Sequence, residues 1–273
     1  MKWFILKEGP DKNGQVSLTG ADYRRLVKVL RLAPGEFFPA LLPCGNEVLV
    51  RVCSVDRNIL TVEIAGAVSH GKRLMPPIIL FQALPKGDKM DLIVRQAAEC
   101  GLEEIVPFVS EFSVAKTAGA KGGQAAPRAA GQKFSRWERI IREARQQSGS
   151  AVRTTVRESL SADEMFAYWE QIKTERPGSV GLLFHHLPLA NETLHGYLGK
   201  SRPSGEPVNG PHAVVLAVGP EGGFSQIETD RFLTAGFRPF TFEGPVLRTE
   251  TAALYAAAAV QILLTERESW EMK

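Results

Sequence analysis

The chain has two regions that differ in their pattern of apolar and polar positions. In the first region, residues 47–55 and 59–64 alternate apolar and polar residues, as strands with one buried face do. A helix is predicted at 22–32, and its apolar residues are expected to face inward: Leu26, Val29 and Leu30. Short strands with a single helix are typical of a small β-barrel, a common accessory domain for binding nucleic acid.

Beyond residues 70–77, apolar strands alternate with helices, which indicates a parallel sheet. The predicted strands are 78–83, 105–109, 180–184 and 214–218, and the clearest helices are 88–101 and 135–148. The sequence therefore predicts an α/β protein with a domain boundary near residue 72, giving a small domain at 1–72 and a larger one at 73–273.

Composition narrows the class of protein. Of 273 residues, 44% are hydrophobic and 23% charged, which excludes a wholly disordered, collagen-like or coiled-coil chain. The longest apolar stretch, 252–264, falls short of the roughly 20 residues that span a bilayer. The first ten residues do not resemble a signal peptide, and the three cysteines form no CxxC pattern. We expect a cytoplasmic protein with free thiols, no membrane segment and no metal site.

Charge is unevenly distributed along the chain. Residues 1–150 contain 22 Lys and Arg against 15 Asp and Glu, whereas residues 151–273 contain 11 against 15. A basic first half favours contact with a polyanion such as RNA, although basic side chains also keep a domain soluble. The candidate RNA-binding residues of the first predicted helix are Arg24, Arg25, Lys28 and Arg31.

A second basic helix is predicted at 135–148, where arginines recur every third residue: Arg136, Arg139, Arg142 and Arg145. Such spacing spreads them over half of the helix, and the apolar residues fall on the other half: Trp137, Ile140, Ile141 and Ala144. The preceding segment 114–133 has four basic residues and no acid, and is predicted to be a mobile loop. Contact with an RNA backbone and a merely solvated face are both open readings.

The segment 213–228, AVVLAVGPEGGFSQIE, has the strongest chemical pattern. A buried strand leads through a glycine-rich turn at 219–223 to a helix start, where Ser225 and Glu228 have the spacing of a capping box. Strand, glycine turn and helix start form a ligand cradle in parallel sheets. There is no P-loop and no GxGxxG, and Glu221 would repel a pyrophosphate while favouring a cation such as the sulfonium of S-adenosylmethionine. A tight turn whose glutamate caps backbone amides fits equally well.

A second candidate segment is 240–264, FTFEGPVLRTETAALYAAAAVQILL. A short strand is expected to end at Gly244–Pro245, and an alanine-rich helix to start at Thr249. Arg248 precedes this helix, and helix N-termini favour anions over cations. The arginine is therefore better explained by a partner, which is either an acid such as Glu221 or Glu250, or an anion that develops during a reaction.

These motifs resemble the ribosomal RNA small-subunit methyltransferase E family, within the SPOUT class of knotted methyltransferases. The matching stretches occur in the family's order over nearly the whole chain: VLRLAPGE at 29–36, LPKGDKMDLIVRQAAECGLEEIVPF at 84–108, RWERIIREARQQSG at 136–149, VGPEGGFSQIE at 218–228 and LRTETAAL at 247–254. The GPEGG and LRTETA pair is the most specific part of the resemblance. Three stretches depart from the family. Phe242-Glu243-Gly244 stands where Leu-Gly usually precedes the proline, and Phe112 stands where an arginine is usual. A histidine often precedes the VLR stretch, where Tyr23, Arg24 and Arg25 stand nearby here.

The resemblance implies a PUA-like RNA-binding barrel at 1–72 and an α/β domain at 73–273 with a C-terminal trefoil knot. It implies a homodimer that binds S-adenosylmethionine and produces N3-methyluridine in 16S rRNA of the small ribosomal subunit. By motif, the expected cofactor-binding residues are Phe184, Val218, Gly219, Pro220, Glu221, Gly222, Phe242, Gly244, Val246, Leu247 and Thr249.

The expected catalytic residues are Arg248, which would stabilise charge on the uracil oxygens, and Glu221, which would orient Arg248 or accept the N3 proton. Two alternatives stay open. One is a related methyltransferase that acts on another RNA position, and the other is an RNA-binding assembly factor that has lost catalysis.

Overall fold

The computed structural model describes residues 3–43, 46–67, 75–113, 127–199 and 211–266, with the backbone alone described at 127–133. It divides into two compact units. The first contains Met1–Lys72 together with Arg142–Arg153, and the second contains Arg73–Ile141 and Thr154–Lys273. The sequence did not predict that residues 142–153 group with the first unit. The expected linker at 70–77 lies outside the described residues up to residue 74.

The first unit is built on a five-stranded sheet with the strand order β1-β3-β4-β5-β2. All its neighbouring strands are antiparallel except the pair of β1 and β3. Its core is one apolar cluster in which Leu26, Val50 and Leu60 are fully buried. The strands are β1 (Phe4–Ile5), β2 (Gln15–Thr19), β3 (Phe37–Leu41), β4 (Glu47–Val55) and β5 (Ile59–Ala67).

The helix predicted at 22–32 is wound differently from expectation. A single α-turn, α1 (Gly20–Tyr23), continues as a π-helix at Arg24–Val29. Leu26 is buried as predicted, but the prediction that Val29 and Leu30 face inward is wrong, because they are 72% and 47% exposed. In a π-helix each N–H bonds the carbonyl five residues earlier, so the wider turn rotates later positions away from the face that a 3.6-residue period assigns.

The second unit contains a six-stranded sheet with the order β11-β9-β10-β6-β7-β8, and every pair in it is parallel. The predicted parallel sheet is confirmed. Three of its strands have the predicted bounds, namely 78–83, 180–184 and 214–218, because their largely apolar runs are buried on both faces. The strands are β6 (Ile78–Ala83), β7 (Glu104–Phe108), β8 (Thr155–Val156), β9 (Val180–Phe184), β10 (Val214–Val218) and β11 (Arg238–Phe240).

Helices complete the second unit, and two of them begin at capping boxes. Ser161 caps α4, and Ser225 with Glu228 forms the predicted box at α6. None of the helices in the described ranges is long and apolar enough to span a membrane. The helices are α2 (Lys89–Glu99), α3 (Pro127–Ser148), α4 (Ala162–Glu175), α5 (Leu194–Gly199), α6 (Gln226–Thr234) and α7 (Thr249–Thr265). From residue 142 onward, α3 groups with the first unit.

The basic loop predicted at 114–133 needs a correction at its end. Residues 127–133 are helical and form the start of α3, because Pro127 suits a first helical position and alanines follow it. The rest of the predicted loop lies outside the described residues. Among the cysteines, Cys53 and Cys100 are free and half-buried, whereas Cys44 lies outside the described ranges.

Candidate functional site

A cavity of about 430 Å³ lies where β9, β10 and β11 end. Residues that follow these three strands line it, and parallel strands bring their carboxyl ends to the same edge of the sheet. The chain order reverses here, because β10 is inserted between β9 and β6. Such reversal points are where open α/β sheets bind ligands, so the topology itself marks this edge as a site.

The structure brings the sequence-predicted site residues together in the wall of this cavity. All eleven residues expected to bind a cofactor line it, and so does Arg248. Six further residues line it: Gly223 and Pro245 belong to the predicted loops, whereas sequence reasoning missed His185, His186, Phe224 and Ala252. The two histidines directly follow β9, and the rule that ligands bind beyond the carboxyl ends of parallel strands would have found them.

The turn after β10, residues 219–223, is tight and leaves little room for a side chain at Gly219 or Gly222. The Gly223 N–H donates to the Pro220 carbonyl at 2.9 Å, and Gly223 has a φ of +71° that favours glycine. A Cβ added at Gly219 would lie 3.3 Å from the Gly223 backbone, and one added at Gly222 would lie 3.1 Å from Phe112 Cβ. The turn therefore presents bare backbone to the cavity, as close approach to a ligand requires.

A buried polar connection joins this turn to the start of α7. The Thr249 hydroxyl donates to the Gly219 carbonyl at 2.6 Å and accepts from Gln82 Nε2 at 3.0 Å. Gln82 is fully buried on β6, and Thr249 is 4% exposed. Because buried polar groups need partners, this connection holds both cavity segments against the central strand. A glutamine inside the otherwise apolar strand IILFQA was the sequence signal for it.

Ion pairs with Lys89 also connect the turn after β10 to the first turn of α7. Lys89 Nζ donates to Glu221 Oε1 at 2.6 Å and lies 3.6 Å from Glu250 Oε2. The Lys86 backbone N–H donates to both Glu221 oxygens, at 3.2 and 3.3 Å. Burial acts to raise the pKa of Glu221, but the hydrogen bonds from Lys89 and from the Lys86 backbone outweigh it and lower that pKa. A carboxylate stabilised in this way is a poor proton acceptor near neutral pH.

Arg248 occupies the position directly before α7, in extended conformation. Its side chain is exposed and lines the cavity. Its backbone carbonyl accepts from Thr251 and Ala252, whereas its guanidinium has no hydrogen-bond or ion-pair partner within the described ranges. Of the two acids that the sequence offered as partners, both pair with Lys89 instead.

Aromatic side chains form one wall of the cavity. The Phe184 and Phe242 rings stack with centroids 5.4 Å apart, and Tyr255 meets Phe242 edge to face at 4.6 Å. The departure from the family motif at 242–244 thus places an aromatic ring in this wall. The ring centroids of His185 and His186 lie 4.6 Å apart. Burial lowers the pKa of His185, and the neighbouring His186 lowers it further.

The predicted RNA-binding residues differ in their surroundings. On α3, the predicted apolar half is confirmed by the burial of Trp137, Ile140, Ile141 and Ala144. Arg136 is exposed and pairs with Asp91, and Arg139 and Arg142 are exposed. Arg145 is 9% exposed, and burial lowers its pKa, so it does not present its charge at the surface.

In the first unit, the exposed predicted cations are Arg24, Lys28 and Arg31. Arg24 and Lys28 border a groove that also contains Val29, Asn58 and Ile59. Arg25 is half-buried, and its guanidinium donates to the Gln146 carbonyl at 3.4 Å. Within the described ranges, no group of three or more His, Cys, Asp or Glu side chains is arranged to hold a metal ion.

A cavity built by loops at the carboxyl edge of a parallel sheet is the usual small-molecule site of α/β proteins. Residues 72–261 match the family model of the RNA methyltransferase domain, and the chain belongs to that family.

Individual relatives agree with this assignment. The chain is 29% identical over 249 residues to ribosomal RNA small subunit methyltransferase E of Synechocystis, covering 91% of this chain and 73% of the relative. It is 25% identical to the protein of that name in Bacillus subtilis, covering 94% and 93%. A crystal structure of the Neisseria gonorrhoeae protein bound to S-adenosyl methionine matches with a TM-score of 0.68 and 25% identity, covering 96% and 98%. The resemblance to the small-subunit methyltransferase E family is confirmed.

Proposed function

We propose that this chain is an S-adenosylmethionine-dependent methyltransferase that methylates N3 of a specific uridine in 16S rRNA of the small ribosomal subunit. The observation that carries the proposal is the convergence of the two motif segments, 218–222 and 242–249, on one cavity. The relatives' names and the donor bound to the Neisseria protein support it.

The residues present fit this cofactor. The cavity of about 430 Å³ falls in the range of roughly 300–1,000 Å³ that is typical of small-molecule sites. Its wall offers the stacked rings of Phe184 and Phe242 to a flat base and the bare backbone of the 219–223 turn to polar groups. When bound, S-adenosylmethionine supplies an electrophilic methyl group.

Arg248 is the residue to which we assign transition-state stabilisation. Uridine N3 becomes a good nucleophile when solvent accepts its proton, which spreads negative charge over the two uracil carbonyl oxygens. N3 then takes the methyl group as its bond to the sulfonium breaks, and S-adenosylhomocysteine leaves. Arg248 lines the cavity and its guanidinium has no side-chain partner in the described ranges, so it is available to bind those oxygens.

Glu221 takes a positioning role in this proposal. Of the two roles that the sequence left open, proton acceptance is disfavoured by its hydrogen bonds and its lowered pKa. Direct orientation of Arg248 is not supported either, because within the described ranges the carboxylate accepts its hydrogen bonds from Lys86 and Lys89. Glu221 instead stiffens the turn that borders the cofactor.

The RNA is proposed to contact basic side chains in both units. The exposed predicted cations of the first unit are Arg24, Lys28, Arg31 and Arg142, and those of α3 in the second unit are Arg136 and Arg139. Lysine and arginine at such positions release counterions from a phosphate backbone. The target uridine must be unpaired or flipped out, since N3 is hidden in a base pair.

Three further features belong to the proposal. A homodimer is supported by the apolar side chains of Tyr255 and Ile262, each 54% exposed on α7. A C-terminal trefoil knot is supported by the insertion of β10 between the earlier strands β9 and β6. A cytoplasmic location and a PUA-like role for the first unit follow from the proposed ribosomal substrate.

The direct test is mass spectrometry of 16S rRNA from a strain that lacks the gene, with and without the restored protein. We expect N3-methyluridine to be absent in the first sample and present in the second. Methylation at another position would establish the related-methyltransferase alternative. RNA binding without any methylation, and without binding of S-adenosylmethionine in calorimetry, would establish the inactive assembly factor.

A further inference from the structure

Two acids and two cations come from the segments around the cavity: Glu221, Glu250, Lys89 and Arg248. Glu221 follows β10, whereas Arg248 and Glu250 flank the first residue of α7. An arginine between such acids would be expected to pair with one of them. The structure shows a different arrangement, in which Lys89 at the start of α2 engages both carboxylates.

Glu250 depends on Lys89 for its only nearby cation within the described ranges. Its Oε2 atom is buried and accepts no hydrogen bond within the described ranges, and the Lys89 ammonium lies 3.6 Å away. A buried carboxylate without a compensating charge is costly, so loss of Lys89 would leave Glu250 in need of another cation. Arg248 lies two residues away in sequence and has a guanidinium without a partner in the described part of the chain.

We propose that Lys89 is a positioning residue that occupies Glu221 and Glu250 and thereby keeps the Arg248 guanidinium free for substrate. The inference rests on the role that the proposed function gives to Arg248. It explains why the Arg248 guanidinium is free to bind substrate, and it assigns a function to Lys89, which does not line the cavity.

The inference has a signature that a merely structural lysine lacks. In Lys89→Met the acids capture Arg248, and we expect kcat to fall by about threefold to fivefold, which is the upper end of the scale for one partly exposed ion pair. The double variant Lys89→Met with Glu250→Gln removes the competing acid and is expected to recover at least half of that loss on a logarithmic scale. Lys89→Arg keeps the charge and retains kcat within about twofold.

Arginine modification provides a readout that does not depend on catalysis. Phenylglyoxal reacts with accessible, unpaired guanidinium groups, and peptide mass spectrometry reports each site separately. We expect Arg248 to react rapidly in the unmodified chain, slowly in Lys89→Met, and rapidly again in the double variant. Arg57, which is exposed in the first unit, serves as a matched control with a constant rate, and Arg136, paired with Asp91, serves as a slow reference.

The outcomes separate this inference from the proposed function. If Lys89→Met leaves Arg248 as reactive as before, or if the double variant recovers neither reactivity nor kcat, the inference is overturned while the methyltransferase proposal stands. If the unmodified chain shows no methylation, the reactivity pattern still tests whether Lys89 holds the acids away from Arg248. If Lys89→Met fails to fold, Glu250→Gln alone is expected to raise the Arg248 reactivity or leave it unchanged, and a decrease would contradict the inference.

Discussion

Replacing Thr249 by valine tests whether the buried connection between the two cavity segments sets cofactor affinity. The substitution keeps the side-chain shape and removes one hydroxyl. It abolishes the 2.6 Å hydrogen bond to the Gly219 carbonyl and the 3.0 Å bond from Gln82. Gln82 keeps its bond to the Ala83 carbonyl at 2.9 Å, so the main cost falls on the Gly219 carbonyl.

The Gly219 acceptor is half-buried, so loss of its hydrogen bond costs about 0.5–1.5 kcal/mol, and we expect the free energy of unfolding in urea to fall by that amount. The bound cofactor must then re-order the released turn, so its Kd should rise by about twofold to tenfold. Thr249→Ser is the matched control. It loses about 1 kcal/mol of stability with the buried methyl group but keeps the hydroxyl, and its Kd should stay near that of the unmodified chain. Isothermal titration with S-adenosylmethionine measures both variants, and unchanged affinity in Thr249→Val would refute the reasoning.

Three further predictions concern Gly219, Arg248 and Tyr168. Gly219→Ala places a methyl group 3.3 Å from the backbone of its own turn, and calorimetry should show weaker cofactor binding in a chain that still folds; equal affinity would contradict the close approach proposed for this turn. Arg248→Ala should lower kcat by roughly 10²–10³ while the cofactor Kd changes little, and an equal loss in both would remove it from the chemistry. Burial and a 2.6 Å hydrogen bond to Glu104 raise the pKa of Tyr168 from 10.0 to about 12. The folded state therefore holds this proton after the unfolded chain has lost it, so stability should fall as the pH rises from 10 to 12. Tyrosinate absorbance should show one late-titrating tyrosine that Tyr168→Phe removes, and a single transition near pH 10 would contradict the assignment.

The parallel sheet was the part of the fold that local patterns predicted best. The run 214–218 is apolar throughout and 78–83 is apolar except for Gln82, because both faces of these strands are covered, and their bounds could be read directly. The capping box of Ser225 and Glu228 was equally local, since it needs only two side chains three residues apart. The π-helix at 24–29 could not be predicted in this way, because an apolar period of 3.6 residues does not reveal a wider turn.

In the candidate site, too, local motifs could be predicted from the sequence and long-range contacts could not. Motif segments marked which residues meet at the cavity, including the turn at 219–223 and the residues before α7. They did not reveal the partners of Glu221 and Glu250, because Lys89 lies more than 130 residues from either acid in sequence. The burial of Arg145 was likewise hidden by a regular arginine spacing that ignores how the end of α3 packs. Long-range pairing depends on tertiary packing, which a periodic pattern does not encode.

A crystal structure of the chain with S-adenosylmethionine tests the central claim most directly. The account predicts that the donor lies in the cavity between the 219–223 turn and the residues before α7, with its methyl group facing the Arg248 guanidinium. A donor bound elsewhere, or a phosphate-bearing nucleotide that binds this cavity in preference to the donor, would contradict the account.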